Sequence, residues 1–287
     1  MRLLPLLTIS VALIVSPLLS AAGILVQKGD SIAFLGDSIT AGGAASPGGY
    51  VRLVASGLAA QGIDITVIPA GISGHKSDQM LSRLDNDVLS KKPTWMTLSC
   101  GVNDVWHGAK GIPLDAYKTN ITAILDRCQQ AGVKVVLLTA TQIKLPITSP
   151  ENVTLADYNA FLRDIAKARN LPLADLNAAM ATEQASLEKA GSKRVLTTDG
   201  VHMNLYGNLM MAKGVLAAFG LDDQQLAAVH TSWLNQPDLY QSGAKIKLSL
   251  NELAKLEAIA AKQNKSVDAL ITDVSTAAVK ATLATAK

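Results

Sequence analysis

Aromatic side chains make up only 4% of the 287 residues, and no apolar insertion long enough to act as a lid over lipid interrupts the chain. Charge of one sign is also lacking. Lys and Arg number 26 against 23 Asp and Glu, a formal net charge of +3, which offers a polyanion no surplus to bind and excludes nucleic acid as an expected partner. Cysteine is nearly absent, with Cys100 and Cys128 alone. Cys100 closes a predicted strand, whereas Cys128 stands near the far end of the helix that returns along the sheet, about 20 Å away at 1.5 Å per residue. A disulfide needs alpha carbons within about 7 Å. Two buried thiols are expected, not a bridge.

What the chain has in quantity is apolar residue, 49% of the total, enough to fill one large domain or one domain with an appendage. Residues 1–23 combine Arg2, an apolar run from Leu3 to Val15, Pro17 and the small group Ser20-Ala21-Ala22. This order of charged, apolar and small residues is that of a signal peptide, with cleavage expected after Ala22 and export to the periplasm or medium. An uncleaved segment anchoring the protein to the membrane is the alternative. No later segment is apolar for long enough to span a bilayer.

From Ser31 onward, short β-branched or apolar runs alternate with longer amphipathic ones, the pattern of strand, crossover helix and parallel strand. Strands are expected at Ser31–Leu35, Ile63–Ile68, Thr94–Ser99, Val133–Thr139 and near Leu171–Ala174. Helices are expected at Tyr50–Ala60, Ser77–Leu89, Leu114–Ala131, Leu155–Ala168 and Leu205–Phe219. The fold class that follows is α/β, a three-layer sandwich on a parallel sheet of about five strands. Three domains are read from the pattern: a leader over 1–23, a catalytic domain over 24–220, and a mostly helical extension over 221–287. The extension begins with a linker around Asn235-Gln236-Pro237 and Ser242-Gly243. An alternating Lys245–Leu250 strand and two helical patterns follow, the first with Leu253, Leu256 and Ile259 on one face.

In open parallel sheets ligands bind at the carboxyl ends of the strands, where loops and helix amino termini gather. Three motifs fall there. Gly36-Asp37-Ser38 follows the first strand and offers a hydroxyl that attacks a carbonyl once a base accepts its proton. It lacks the second glycine of the Gly-x-Ser-x-Gly elbow, which argues against an α/β-hydrolase. Gly74, after the second strand, lets a backbone N–H approach a ligand closely, although it also reads as a plain turn glycine. Asn103, within Gly101-Val102-Asn103-Asp104 after the third, can aim its amide at a developing oxyanion, with an Asx turn as its structural alternative. Asp199 and His202 arrive together before the last helix, three positions apart on one turn, so the carboxylate can fix the imidazole tautomer. His75, His107 and His230 compete for the role of base, but none has an aspartate three residues before it.

These blocks, in this order from about Ser31 to Gly220, resemble those of the SGNH hydrolases, also called the GDSL family of esterases and lipases. The resemblance implies a flavodoxin-like sheet, a Ser38 nucleophile with Asp199 and His202, an oxyanion hole of Ser38, Gly74 and Asn103, and neither cofactor nor metal. Gly71 is the rival to Gly74, which is favoured because His75-Lys76-Ser77 opens a helix. Asp37, His75, Trp106 and His107 are expected against the substrate, and Tyr50 with the loops Thr141–Asn152 and Ala178–Lys193 around the pocket.

The expected activity is hydrolysis of short acyl esters, acetyl first, on a small molecule or carbohydrate. Lysophospholipase and thioesterase activity are the enzymatic rivals. A non-catalytic carbohydrate- or partner-binding protein is the rival from another class. The tail's strand–helix–helix order resembles a ribbon-helix-helix module, but Leu221 to Lys287 carries seven Lys against seven Asp and Glu. Packing on the core or homodimerisation fits that neutral balance better than DNA.

Overall fold

The computed structural model describes residues 23–192, 194–236, 239–240 and 250–286. The leader and the expected Lys245–Leu250 strand lie outside the described residues, Gly23 and the start of a helix at Leu250 apart. Five strands form one parallel sheet: β1 Ser31–Gly36, β2 Thr66–Gly71, β3 Trp95–Ser99, β4 Lys134–Leu138 and β5 Leu173–Ala174, in the order β2-β1-β3-β4-β5. The central strands β1 and β3 are buried along nearly their whole length, which is why they read as continuous apolar runs. β2 lies at an edge, half exposed, and there Pro69 costs no ladder bond on its free side.

Helices α1 Ser38–Ala45, α2 Tyr50–Ala60, α8 Leu205–Ala218 and α9 Asp223–Leu234 pack as one group. α3 Ser77–Asp87, α5 Leu114–Gln130 and α6 Pro150–Ala168 pack as another, with the short α4 Val102–Trp106 against α6. α7 Leu176–Lys189 packs on α8. The strand order reverses between β1 and β3, so the loops leaving these two strands part to opposite faces and open a crevice. Ser38 follows β1 and Asn103 lies just after β3, one on each side of it.

Most elements match the sequence pattern within a few residues, and the differences have local causes. The second strand begins at Thr66 rather than Ile63 because Ile63 N–H closes α2 on the Leu58 carbonyl, and the ladder starts where Thr66 N–H meets Asp30 O at 2.9 Å. α6 starts at Pro150, five residues early, because Ser149 caps it through Asn152 N–H and proline suits the first helical position. Much of the expected pocket loop Ala178–Lys193 is helix α7, whose N-cap Asp175 accepts the Ala178 N–H.

The expected boundary at Gly220 also moves. α9 buries Leu226, Val229 and Trp233 in the main core, each worth about 2 kcal/mol of transfer free energy. The Trp233 indole N–H is satisfied by Ser56 Oγ at 3.0 Å. The first compact unit accordingly runs to Tyr240, and the second spans Gln241–Lys287, with α10 Leu250–Lys262 packed on α11 Val267–Thr285 and Ala260 and Leu270 buried. Both cysteines are buried free thiols.

One glycine sets how close α1 lies to the sheet. A β-carbon on Gly71 would stand 2.3 Å from the Ala41 backbone nitrogen. Gly71→Ala must push α1, and Ser38 with it, off the sheet edge. A loss of about 1–3 kcal/mol in urea unfolding is expected. Unchanged stability would contradict this packing.

Candidate active site

Ser38 is the first residue of α1, so its backbone N–H is among the opening donors of the helix that have no intrahelical acceptor. The preceding Asp37 caps the helix, its Oδ1 accepting Ile39 N–H at 2.9 Å. The Ser38 hydroxyl lies 2.9 Å from His202 Nε2, and His202 Nδ1 lies 2.6 Å from Asp199 Oδ2. Hydroxyl, imidazole and carboxylate thus form one continuous chain of hydrogen bonds, with 164 positions between serine and histidine.

The loop carrying Asp199 and His202 is held from within. Thr198 N–H donates to the His202 carbonyl at 2.8 Å and Thr197 bridges to Met203, closing a tight turn around Asp199–Val201. Asp199 Oδ1 accepts two backbone N–H groups, Val201 at 3.0 Å and His202 at 2.8 Å. The bond to the His202 side chain, then these backbone bonds, lower the Asp199 carboxyl to about 2 although half of the side chain is exposed. From outside, Lys144 N–H reaches the Gly200 carbonyl at 2.7 Å, and the Asn152 side chain bonds Ile143 and Lys144 in turn. Asn204 caps α8 through Gly207 N–H, and its amide donates back to Val195 O.

Asn103 is buried in the first turn of α4. Its Nδ2 donates to Asp37 Oδ2 and to the His75 carbonyl, both at 3.2 Å. Gly74 sits at φ +76° with open space where a β-carbon would be, in the turn closed by His75 N–H on Ile72 O. At Gly71, by contrast, α1 fills the place of a β-carbon.

Trp106 stands edge-on to the His202 ring at 6.4 Å between centroids, and His107 stacks on Trp106. His75 is half-buried, and its contribution to this cluster is a backbone carbonyl. Asp37 and Tyr50 do not line the surface as expected. Tyr50 is a core residue at 0% exposure whose hydroxyl pairs with Thr40 Oγ1 at 2.8 Å. Asp37 is 2% exposed, with both oxygens turned inward. Burial pushes its carboxyl up to about 6, against the lowering effects of the Ile39 N–H and the His202 imidazole, while Asp104 adds to the rise.

Sequence patterns give little sign of Asp104 and Ser77. Asp104 Oδ1 accepts both Ser77 N–H at 3.0 Å and Ser77 Oγ–H at 2.5 Å, tying α4 to the start of α3 and holding the segment that carries Asn103. Among the described residues no group of His, Cys, Asp or Glu could hold a metal ion, and no helix is long and apolar enough to cross a membrane.

Beside Asp199 and Gly200 lies a groove of about 480 Å³ lined by Leu145, Gln184, Glu188, Arg194 and Thr198 among others.

The model of the GDSL-like lipase/acylhydrolase family matches residues 34–209, which carry all of these groups. The acetylxylan esterase of Geobacillus stearothermophilus is 27% identical over 216 residues, 69% of this chain and 97% of its own length. Its crystal structure superposes with a TM-score of 0.62 at 28% identity over the same shares. A second solved acetyl xylan esterase gives a TM-score of 0.61 at 32% identity, covering 66% of this chain and 98% of that one. The esterase TesA of Pseudomonas aeruginosa is 33% identical over 105 residues, 36% of this chain and 51% of its own. Solved forms of the Geobacillus enzyme include catalytic mutants in which a serine, an aspartate or a histidine is replaced by alanine, the last two three positions apart.

Proposed function

This chain belongs to the GDSL-like lipase/acylhydrolase family and is a carboxylic ester hydrolase, and we propose that it removes short acyl groups, acetyl first, from carbohydrate through an acyl-enzyme on Ser38. The observation that carries the mechanism is the unbroken contact from Ser38 Oγ to His202 Nε2 and from His202 Nδ1 to Asp199, at 2.9 and 2.6 Å. Asp199 accepts a hydrogen bond from Nδ1–H, which leaves Nε2 as the free base facing the hydroxyl. As Ser38 Oγ attacks the ester carbon, its proton passes to Nε2 and the carbonyl electrons move to oxygen. Ser38 N–H, Gly74 N–H and the Asn103 amide stabilise that oxyanion, each donor typically worth about 3 kcal/mol of barrier. The imidazolium then gives its proton to the leaving alcohol. Water, deprotonated by the same nitrogen, attacks the acyl-enzyme, frees the acid and restores Ser38.

The short acyl group is supported by Trp106, which stands edge-on to the His202 ring, and by the packed helix α7, which occupies much of the stretch expected as a pocket loop. The amide, carboxylate, guanidinium and hydroxyl groups along the groove beside Asp199 suit the hydroxyls of a sugar, and the acetylxylan esterase relatives agree in substrate class. The order of charged, apolar and small residues at the start of the chain supports export to where polysaccharide is met.

Nitrophenyl esters of increasing chain length test this reading. Acetate is expected to turn over at least about tenfold faster than decanoate, since extra methylenes have no pocket to fill. Rates that rise with chain length would replace the short-acyl reading by a lysophospholipase or thioesterase one.

A further inference from the structure

Two of the three donors assigned to the oxyanion lead back to one buried side chain that takes no part in the proton transfers. Asp37 Oδ1 accepts Ile39 N–H at 2.9 Å and so fixes the turn that carries the Ser38 N–H. Its other oxygen accepts one hydrogen of the Asn103 amide, and the His75 carbonyl accepts the second. Both amide hydrogens are therefore engaged before any substrate arrives. An N–H···O bond to a carboxylate ordinarily closes to about 2.7–2.9 Å and one to a neutral carbonyl to about 2.9–3.0 Å, and these two stand at 3.2 Å. Such bonds orient the amide yet yield readily to a charged oxygen that can approach more closely.

We infer that Asp37 is a positioning residue that sets two oxyanion donors at once, the Ser38 N–H through the helix cap and the Asn103 amide through its second carboxylate oxygen. The inference rests on the oxyanion hole proposed above. The site demands two acceptors on one short side chain. Serine would cap α1 but fall short of Asn103. Asparagine, with one acceptor and one donor, can serve Ile39 or Asn103 but not both. Burial raises the Asp37 carboxyl to about 6, while the Ile39 N–H and the His202 imidazole favour its charged form, so above pH 7 it is the required acceptor. The neighbouring Asp104 carboxyl opposes that ionisation and is itself held by Ser77.

A double-mutant cycle on the full chain tests the inference, with nitrophenyl acetate hydrolysis followed above pH 7. Asn103→Ala is expected to lower kcat by about 10²-fold with KM within about threefold. Asp37→Ser, which keeps the cap, and Asp37→Asn, which keeps the size, are each expected to lower kcat by about tenfold or more in the wild-type background. In the Asn103→Ala background the same changes should cost about twofold or less, because the amide they position is gone. Equal losses in the two backgrounds would show that Asp37 does not act through Asn103 and would overturn the inference alone. Asp37 variants that both fail to fold while Asn103→Ala folds would also overturn it, leaving a purely structural aspartate. Full activity in Asn103→Ala would remove the oxyanion assignment, and the inference with it.

Discussion

Ser38→Ala is expected to lower kcat for nitrophenyl acetate by about 10⁴-fold or more while leaving the folded protein intact. The size follows from what is removed: without an Oγ no acyl-enzyme forms, and what persists is the help that the oxyanion donors give to water. His202→Gln should fall within about tenfold of the same rate. The double variant should be no slower than either, because nucleophile and base act as one unit. Ser38 lies half-buried at the surface of the crevice, so urea unfolding of Ser38→Ala should shift by no more than about 0.5 kcal/mol. Residual activity in Ser38→Ala within a hundredfold of wild type would point to another nucleophile. A loss accompanied by unfolding would not be evidence of chemistry, which is why the stability measurement belongs beside the rate.

Asp199→Asn should cost nearly as much, about 10³- to 10⁴-fold at neutral pH, although every atom position is kept. An asparagine can present its N–H₂ to Nδ1, which places the imidazole proton on Nε2, where it faces Ser38 and blocks proton transfer. The loop itself sets the size of the effect. Asp199 Oδ1 is already committed to two backbone N–H groups, so Oδ2 is the oxygen left for the ring. The acid behaviour follows with a definite sign. The folded carboxyl is depressed from 3.8 to about 2, so its stabilising contribution is fully present above about pH 4 and is lost as pH falls towards 2. The stability difference between wild type and Asp199→Asn should therefore shrink below about pH 4. A difference that does not shrink between about pH 4 and 2 would contradict the bonding seen around Asp199.

Of the residues proposed to carry the chemistry, Ser38, Gly74 and Asn103 are legible in the sequence because each follows a strand, and strand ends in a parallel sheet share one edge. β1, β3 and β4 announce themselves as short, largely apolar runs, and Asp199 with His202 needs no tertiary information to be recognised as a pair. What escapes the pattern depends on packing between distant segments. Asp37 looks like a polar neighbour of the nucleophile until Asn103, 66 positions on, is seen to occupy its second oxygen. Tyr50 reads as an aromatic at a pocket wall, but Thr40 from α1 satisfies its hydroxyl inside the core. α1 itself is hidden because Ser38-Ile39-Thr40-Ala41-Gly42-Gly43 is poor in helix formers, and the aspartate cap and the sheet hold it in place. α9 reads as tail until Trp233 is placed against Ser56, 177 positions before it.

Covalent labelling tests the central assignment most directly. A diethyl nitrophenyl phosphate transfers its diethylphosphoryl group to an activated serine, with nitrophenolate leaving as the Oγ–phosphorus bond forms. Mass spectrometry of the digested protein should find one label per chain, on the peptide holding Ser38, growing in step with the loss of acetate hydrolysis and absent from Ser38→Ala and His202→Gln. A stoichiometric label elsewhere that abolishes activity, or full activity in protein labelled at Ser38, would contradict the account.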